Sequence, residues 1–154
     1  QYKEVIVPTV KFVTNDDVVA AGENILSLYE FKNKPSLRED VKINEEIQKI
    51  FYSDQYVGVI LKNTNSKFPY RIQVYDLNGN KKMEKEIKLE YDNVSFSGDN
   101  VLMYDDMNCQ IISFDGVQKF KVTFNGAVNA IIPIDGSRTF LIMTKSKIQK
   151  VKLK

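Results

Sequence analysis

Gln73, Gln110 and Gln149 occupy one place in three copies of a short recurring phrase, "IQVYDLNG", "CQIISFDG" and "IQKVKL". A primary amide both donates and accepts, so a row of amides suits sugar hydroxyls or a peptide backbone. Asn63, Asn65 and Phe68 crowd into residues 62–69, "KNTNSKFP", the longest polar interruption in the chain. Two amides beside an aromatic ring offer similar chemistry to a partner. The acidic doublets Asp16-Asp17 and Asp105-Asp106 supply the paired carboxylates that a glycosidase would use. Sequence neighbours on a strand point to opposite faces, or sit together in a turn, so a shared site does not follow from adjacency. Turn residues in solvent are the simpler reading of both doublets.

Much other chemistry is excluded. None of the 154 residues is histidine, which removes Ser-His-Asp and Cys-His nucleophiles and the commonest metal ligand. Cys109 is the only cysteine, so no internal disulfide forms, and its alternation with Ile111 predicts a buried thiol. The seven glycines are scattered and build no phosphate loop, and no twelve-residue calcium loop is present. No metal or other cofactor is expected. With 22 basic and 20 acidic residues interspersed and a net charge of +2, no field favours nucleic acid. The one local bias is Lys145, Lys147, Lys150, Lys152 and Lys154. On a strand these mostly share a face, which reads as a solvated face guarding a sheet edge, with an anionic contact as the alternative.

What positions these residues is a repeat. The phrase begins at Leu26, Ile72, Cys109 and Ile148, roughly 40 residues apart, the period of a propeller blade. A second register runs in step with it. Val13, Phe51, Phe96 and Ile132 are each followed three positions later by an aspartate, Asp16, Asp54, Asp99 and Asp135, and then by a new apolar run. Each unit thus holds up to four short strands, in the second unit 47–52, 56–62, 70–77 and 81–89. Asn78-Gly79 and Asp115-Gly116 read as two-residue hairpin turns, because both residue types tolerate positive φ. "INEEIQKIF" has helical spacing, but its second half aligns with the first strands of the other units and is read as strand. Runs such as "VGVIL" and "FLIM" are apolar throughout, as strands buried on both faces must be, whereas "KKMEKEIKL" alternates like a rim strand.

The fold class is therefore all-β, a β-propeller-like repeat of about four blades of up to four antiparallel strands. The units fall at about 8–43, 44–89, 90–125 and 126–154, with residues 2–7 completing a blade. The chain closes a four-bladed ring or, as the trimmed units favour, forms half of an eight-bladed one. On these features it resembles bacterial β-propeller repeats of the WD-repeat and quinoprotein-like kind. It is most similar to the propeller part of a bacterial family of uncharacterised function that commonly follows a single membrane anchor. It lacks the Gly-His pair, the Trp-Asp dipeptide and any tryptophan, so no functional residue carries over from characterised propellers.

The expected function is non-catalytic binding or scaffolding, with loops presented to a protein or glycan. The alternatives are a carboxylate-based glycan-cleaving enzyme and a purely structural half-propeller. The start at Gln1 reads as the interior of a longer parent. An extracytoplasmic setting, with membrane contact only through a segment outside this chain, follows from the resemblance. A homodimer is a further expectation.

Overall fold

The computed structural model describes residues 9–64, 67–88, 90–135 and 138–152. Among them are fifteen strands and no helix. The chain divides into two compact units, Gln1–Leu89 and Glu90–Lys154.

The first unit holds two antiparallel sheets of four strands in chain order. One contains β1 (Thr9–Phe12), β2 (Asp17–Ala21), β3 (Ile25–Phe31) and β4 (Pro35–Lys42). The other contains β5 (Ile47–Tyr52), β6 (Tyr56–Lys62), β7 (Tyr70–Asp76) and β8 (Lys81–Ile87). The second unit repeats the plan with β9 (Asn93–Ser97), β10 (Asn100–Tyr104), β11 (Asn108–Ser113) and β12 (Gln118–Thr123). A three-stranded sheet of β13 (Val128–Asp135), β14 (Thr139–Thr144) and β15 (Ile148–Lys152) follows. Residues 2–7, expected to complete a blade, lie outside the described residues. The segment with helical spacing is β5: β-branched Ile47 and Ile50 and aromatic Phe51 and Tyr52 suit a pleated surface, and β6 is there to pair with it.

Each unit is held by two sheets packed face to face, and both units obey one rule. Call the face carrying the first and third residues of the repeated phrase the back, and the other the front. In the first unit the back of β2 and β3 (Val19, Ala21, Leu26, Leu28) packs on the front of β6 and β7 (Val57, Val59, Leu61, Tyr75). In the second unit the back of β10 and β11 (Leu102, Cys109, Ile111) packs on Ile131, Phe140 and Ile142 of the next sheet. Val57, Val59, Leu61 and Leu26 are wholly buried, each worth about 1.5–3 kcal/mol of transfer free energy. On β8, by contrast, only Met83 and Ile87 are buried while the lysines face water, as befits a rim strand.

The fourth strands share a device the sequence did not advertise. Each of the three four-stranded sheets has a bulge between its third and fourth strands, between Leu28 and Tyr29, Val74 and Tyr75, and Ile111 and Ile112. These are equivalent phrase positions. The residue left without a cross-strand partner is Arg38, Lys82 or Lys119, always a base. Each bulge cation reaches an acid near the adjoining hairpin: Arg38 to Glu30 (2.9 Å), Lys82 to Asp76 (3.2 Å), Lys119 to Asp115 (3.9 Å). A bulge turns its extra side chain away from the ladder, and here it aims a charge at the turn.

The hairpins that follow the phrase are longer than the two-residue turns expected. Asp76 and Lys81 are separated by residues 77–80, and the Gly79 N–H donates to the Asp76 carbonyl at 3.0 Å. The Asp76 carboxylate also accepts the N–H groups of Asn78 and Asn80, both at 2.9 Å. Asn80 lies one residue beyond the expected Asn78-Gly79 turn, and its carbonyl accepts the Asp76 N–H (3.0 Å). Gly79 still does the expected job, with φ at +84°, and its open side lies against Glu39 of β4. An added Cβ would come within 2.5 Å of the Glu39 Cγ.

Candidate functional site

Gln73 and Gln110 build the polar half of the front face in the second and third sheets. On β7, residues 71, 73 and 75 share the front with Glu84 and Glu86, their neighbours on β8. The Tyr75 hydroxyl donates to Gln73 Oε1 (2.8 Å), and Gln73 Nε2 donates to Glu84 (3.2 Å). Lys81 also meets Glu84, at 2.5 Å. Arg71 is the hub: it contacts Glu45 (2.5 Å), Glu86 (3.4 Å) and Glu84 (3.8 Å), while its Nε is buried with no acceptor among the described residues. The Lys81 hydrogen bond outweighs partial burial and lowers the Glu84 pKa. Burial raises that of Tyr75.

Gln110 repeats the motif with other partners. Its Oε1 accepts from the Tyr91 hydroxyl (3.0 Å) and its Nε2 donates to Gln118 on β12 (2.9 Å). Tyr75 stands two residues from its glutamine on the same strand, whereas Tyr91 arrives from the segment before β9. Burial, with the Asp105 charge and Cys109 behind it, pushes the Tyr91 hydroxyl up to about 12. Gln149, on β15, is exposed. The sequence admits a side-chain-to-backbone bond at this position; the partners of Gln73 and Gln110 are side chains instead. For Gln73 register explains this, because Glu84 is its cross-strand partner, whereas Gln110 stands opposite Lys121 and reaches diagonally to Gln118.

The 62–69 loop joins the first network. The Asn63 amide donates to Glu86 (3.1 Å), the carboxylate that also receives Arg71. Phe68 lies beneath two cations, Lys67 (5.7 Å) and Lys88 (5.6 Å), which anchors its ring at the end of β8. Phe68, Arg71, Glu84 and Glu86 border a hollow of about 380 Å³. Three of the expected binding residues, Asn63, Phe68 and Gln73, thus meet through Arg71 and its carboxylates. Asn65 lies outside the described residues. Gln110 and Gln149 belong to the second unit, and Gln149 borders a different hollow, of about 450 Å³, with Lys145 and Lys147.

A cavity of about 720 Å³ in the first unit was not foreseen. It opens where the β2–β3 turn meets the β4–β5 connection, and it runs along β5. Glu23, Asn24, Asn44, Glu45, Glu46 and Tyr52 give it carboxylates, amides and one aromatic ring. Backbone bonds fix its walls: Ile43 N–H to the Asn24 carbonyl (2.8 Å), and Lys62 N–H to the Glu46 carbonyl (3.0 Å). The second bond ties the start of the 62–69 loop to the cleft. Glu45 is neutralised by Arg71, while Glu23 and Glu46 have no ion pair among the described residues. The cluster "NEE" at residues 44–46 was the available signal, but its meaning depends on a turn twenty residues away.

The acidic doublets build turns. Asp105 accepts the N–H groups of Met107 (2.8 Å) and Asn108 (2.7 Å); partial burial opposes its ionisation, but these bonds outweigh it and its pKa is lowered. Asp17 accepts the Thr14 hydroxyl (2.7 Å) and pairs with Arg38 (2.9 Å), while the Asp16 carbonyl receives the Phe31 N–H (2.6 Å). Cys109 is buried, and burial followed by the Asp105 charge pushes its thiol up to about 12. No group of three or more Cys, Asp or Glu side chains able to hold a metal ion occurs among the described residues.

Solved structures of matching fold are β-propellers. BamB from Moraxella catarrhalis is 16% identical with a TM-score of 0.64, over 94% of this chain and 45% of that one. The WD40 propeller domain of Doa1 is 14% identical (TM-score 0.61; 99% and 53%). BBS1N, solved in complex with ARL6DN, is 6% identical (TM-score 0.62; 99% and 54%). This chain spans about half the length of these structures, and at such identities the likeness is one of fold. A comparison with curated protein sequences finds no match. The repeated four-stranded sheets, the shared packing rule and these likenesses make the fold a β-propeller repeat. By a family model matching residues 1–153, the chain belongs to the family of unknown function DUF5711.

Proposed function

We propose that the chain is a non-catalytic binding or scaffolding module whose first unit takes a protein or glycan in the cleft between the β2–β3 turn and β5. The observation that carries this is the cleft itself, about 720 Å³ and walled by amides, carboxylates and Tyr52. Planar polar side chains around an aromatic ring are the groups that hold sugar hydroxyls or an extended backbone. Lys62, where the loop carrying Asn63 and Phe68 begins, is tied to the cleft by its N–H on the Glu46 carbonyl (3.0 Å). A propeller of matching fold, BBS1N, is itself solved with a protein partner, which agrees with this reading. The setting on the outer side of a membrane remains part of the proposal, carried by the family resemblance. Glycan cleavage is not favoured: Asp105 is committed to its turn with a lowered pKa, the opposite of a general acid.

The test uses parallel arrays of oligosaccharides and of short peptides. The wild-type chain is expected to retain one class, with Glu23→Gln/Glu46→Gln and Asn63→Ala/Phe68→Ala each lowering retention about tenfold while the melting transition is kept. Retention unaffected by both double variants would refute the cleft.

A further inference from the structure

We propose that the cleft binds an extended peptide as an added strand on the free edge of β5, with a lysine or arginine of the peptide held by Glu23 and Glu46. This rests on the cleft reading above and narrows its ligand to a basic, strand-forming segment. β5 pairs with a strand on one side only, β6. Two bonds fix the phase of that pairing: Ser53 N–H to the Tyr56 carbonyl (2.9 Å) at one end, and Lys62 N–H to the Glu46 carbonyl (3.0 Å) at the other. Bonded and non-bonded residues alternate along an antiparallel pair. Lys49 and Phe51 therefore bond toward Ile60 and Gly58, while Ile50 and Tyr52 turn their N–H and C=O groups away from β6. Among the described residues these outward groups have no partner. Ile47 also faces outward, but its N–H is taken by the Glu23 carbonyl (3.3 Å), and the register shifts between Ile47 and Lys49. The open edge is thus the short run 49–52.

The cleft runs along this edge, with Ile50 and Tyr52 in its wall. A donor and an acceptor together, repeated two residues on, match an extended main chain and not a set of sugar hydroxyls. The two sheets of this unit stack by their faces, a contact that leaves the edge of β5 open. Charge names the side chains of the occupant. The wall holds three carboxylates, Glu23, Glu45 and Glu46, against one cation, Lys49. Arg71 takes Glu45, and Glu23 and Glu46 are left without an ion pair among the described residues. Both stand at the Ile47 end of β5, three residues or roughly 10 Å along the strand from Ile50. The peptide's cation therefore belongs about three residues from the one that pairs with Ile50.

Fluorescence anisotropy with short labelled peptides decides it. The probes are end-blocked peptides of alternating threonine and valine with a lysine near one end or the other, and the same peptides with glutamate in its place. A lysine peptide is expected to bind, and its glutamate counterpart about tenfold more weakly. Methylating its backbone nitrogens one at a time should cost about tenfold at every second position and nothing between, because only alternate N–H groups face β5. On the protein, Tyr52→Pro should bind about tenfold more weakly than Tyr52→Ala, since proline removes only a donor that the β5–β6 pairing does not use. Glu23→Gln/Glu46→Gln should abolish the preference for lysine over glutamate. Lysine peptides that stay unbound up to about 1 mM overturn the proposal. So does a methylation scan without the period of two, and that scan on the wild-type chain decides alone if Tyr52→Pro does not fold. Oligosaccharide retention that depends on Glu23 and Glu46, without peptide binding, sinks strand addition and keeps the cleft. Loss of both ligand classes sinks both.

Discussion

The second and third sheets solve one packing problem in opposite ways. On the back of the second sheet Phe51 of β5 pairs with Gly58 of β6; on the back of the third, Ser95 of β9 pairs with Leu102 of β10. Gly58 and Leu102 are equivalent, since they face Val74 and Ile111 across the next strand. In one sheet the bulk comes from the first strand and lies over a glycine. In the other it comes from the second strand and Ser95 stays in water. The repeat therefore preserves filled volume at this point, not residue type. The polar halves differ similarly. Both glutamines accept from a tyrosine, but Gln73 leads into a charged network around Arg71 and Gln110 into neutral Gln118.

Leu102→Ala should break the third sheet most severely, costing about 4 kcal/mol in urea denaturation, because nothing beside it can fill the space. Gly58→Leu should cost about 3 kcal/mol, since even a Cβ there would lie 2.1 Å from the Phe51 ring. Adding Phe51→Ser to it should recover most of that loss by copying the third sheet. No recovery would show that more than this pair sets the volume.

The polar comparison predicts smaller effects. Arg71→Met leaves Glu45, Glu84 and Glu86 without their shared cation and should cost about 2 kcal/mol. Gln110→Leu, in the neutral network, should cost about 1 kcal/mol. Equal losses would mean that charge adds nothing to the motif. The gentlest perturbation is alkali. Burial raises Tyr91 and Cys109 to about 12 from ordinary values of 10.0 and 9.0. Their contribution is therefore fully present below those ordinary values and is lost as pH rises through about 12. Denaturation midpoints should fall over that window. The Cys109 thiol should also resist alkylation at neutral pH until the chain unfolds.

The packed elements were legible because they depend on short-range pattern. Alignment of the repeat placed β5 and β6 at their observed bounds, and alternation put Cys109 on a buried face. Asn78-Gly79 marked a hairpin, although its length followed from the Asp76 carboxylate gathering the N–H groups of Asn78 and Asn80. The site was legible only in pieces. Gln73 and Asn63 were visible as amides, but nothing in the local pattern marks Arg71, which unites them through Glu84 and Glu86.

By itself, then, the sequence determined the strands, the repeat and the side of each sheet that seeks cover, since a period of two fixes which residues share a face. Tertiary structure alone decided the partners: the bulge cations beside their acids, Arg71 among three carboxylates, and Glu23 across a cleft from Glu46. Those contacts join residues distant in the chain. They exist only once strand register and the stacking of one sheet on another bring the charges within a few ångströms, where Coulomb energy and hydrogen bonding act.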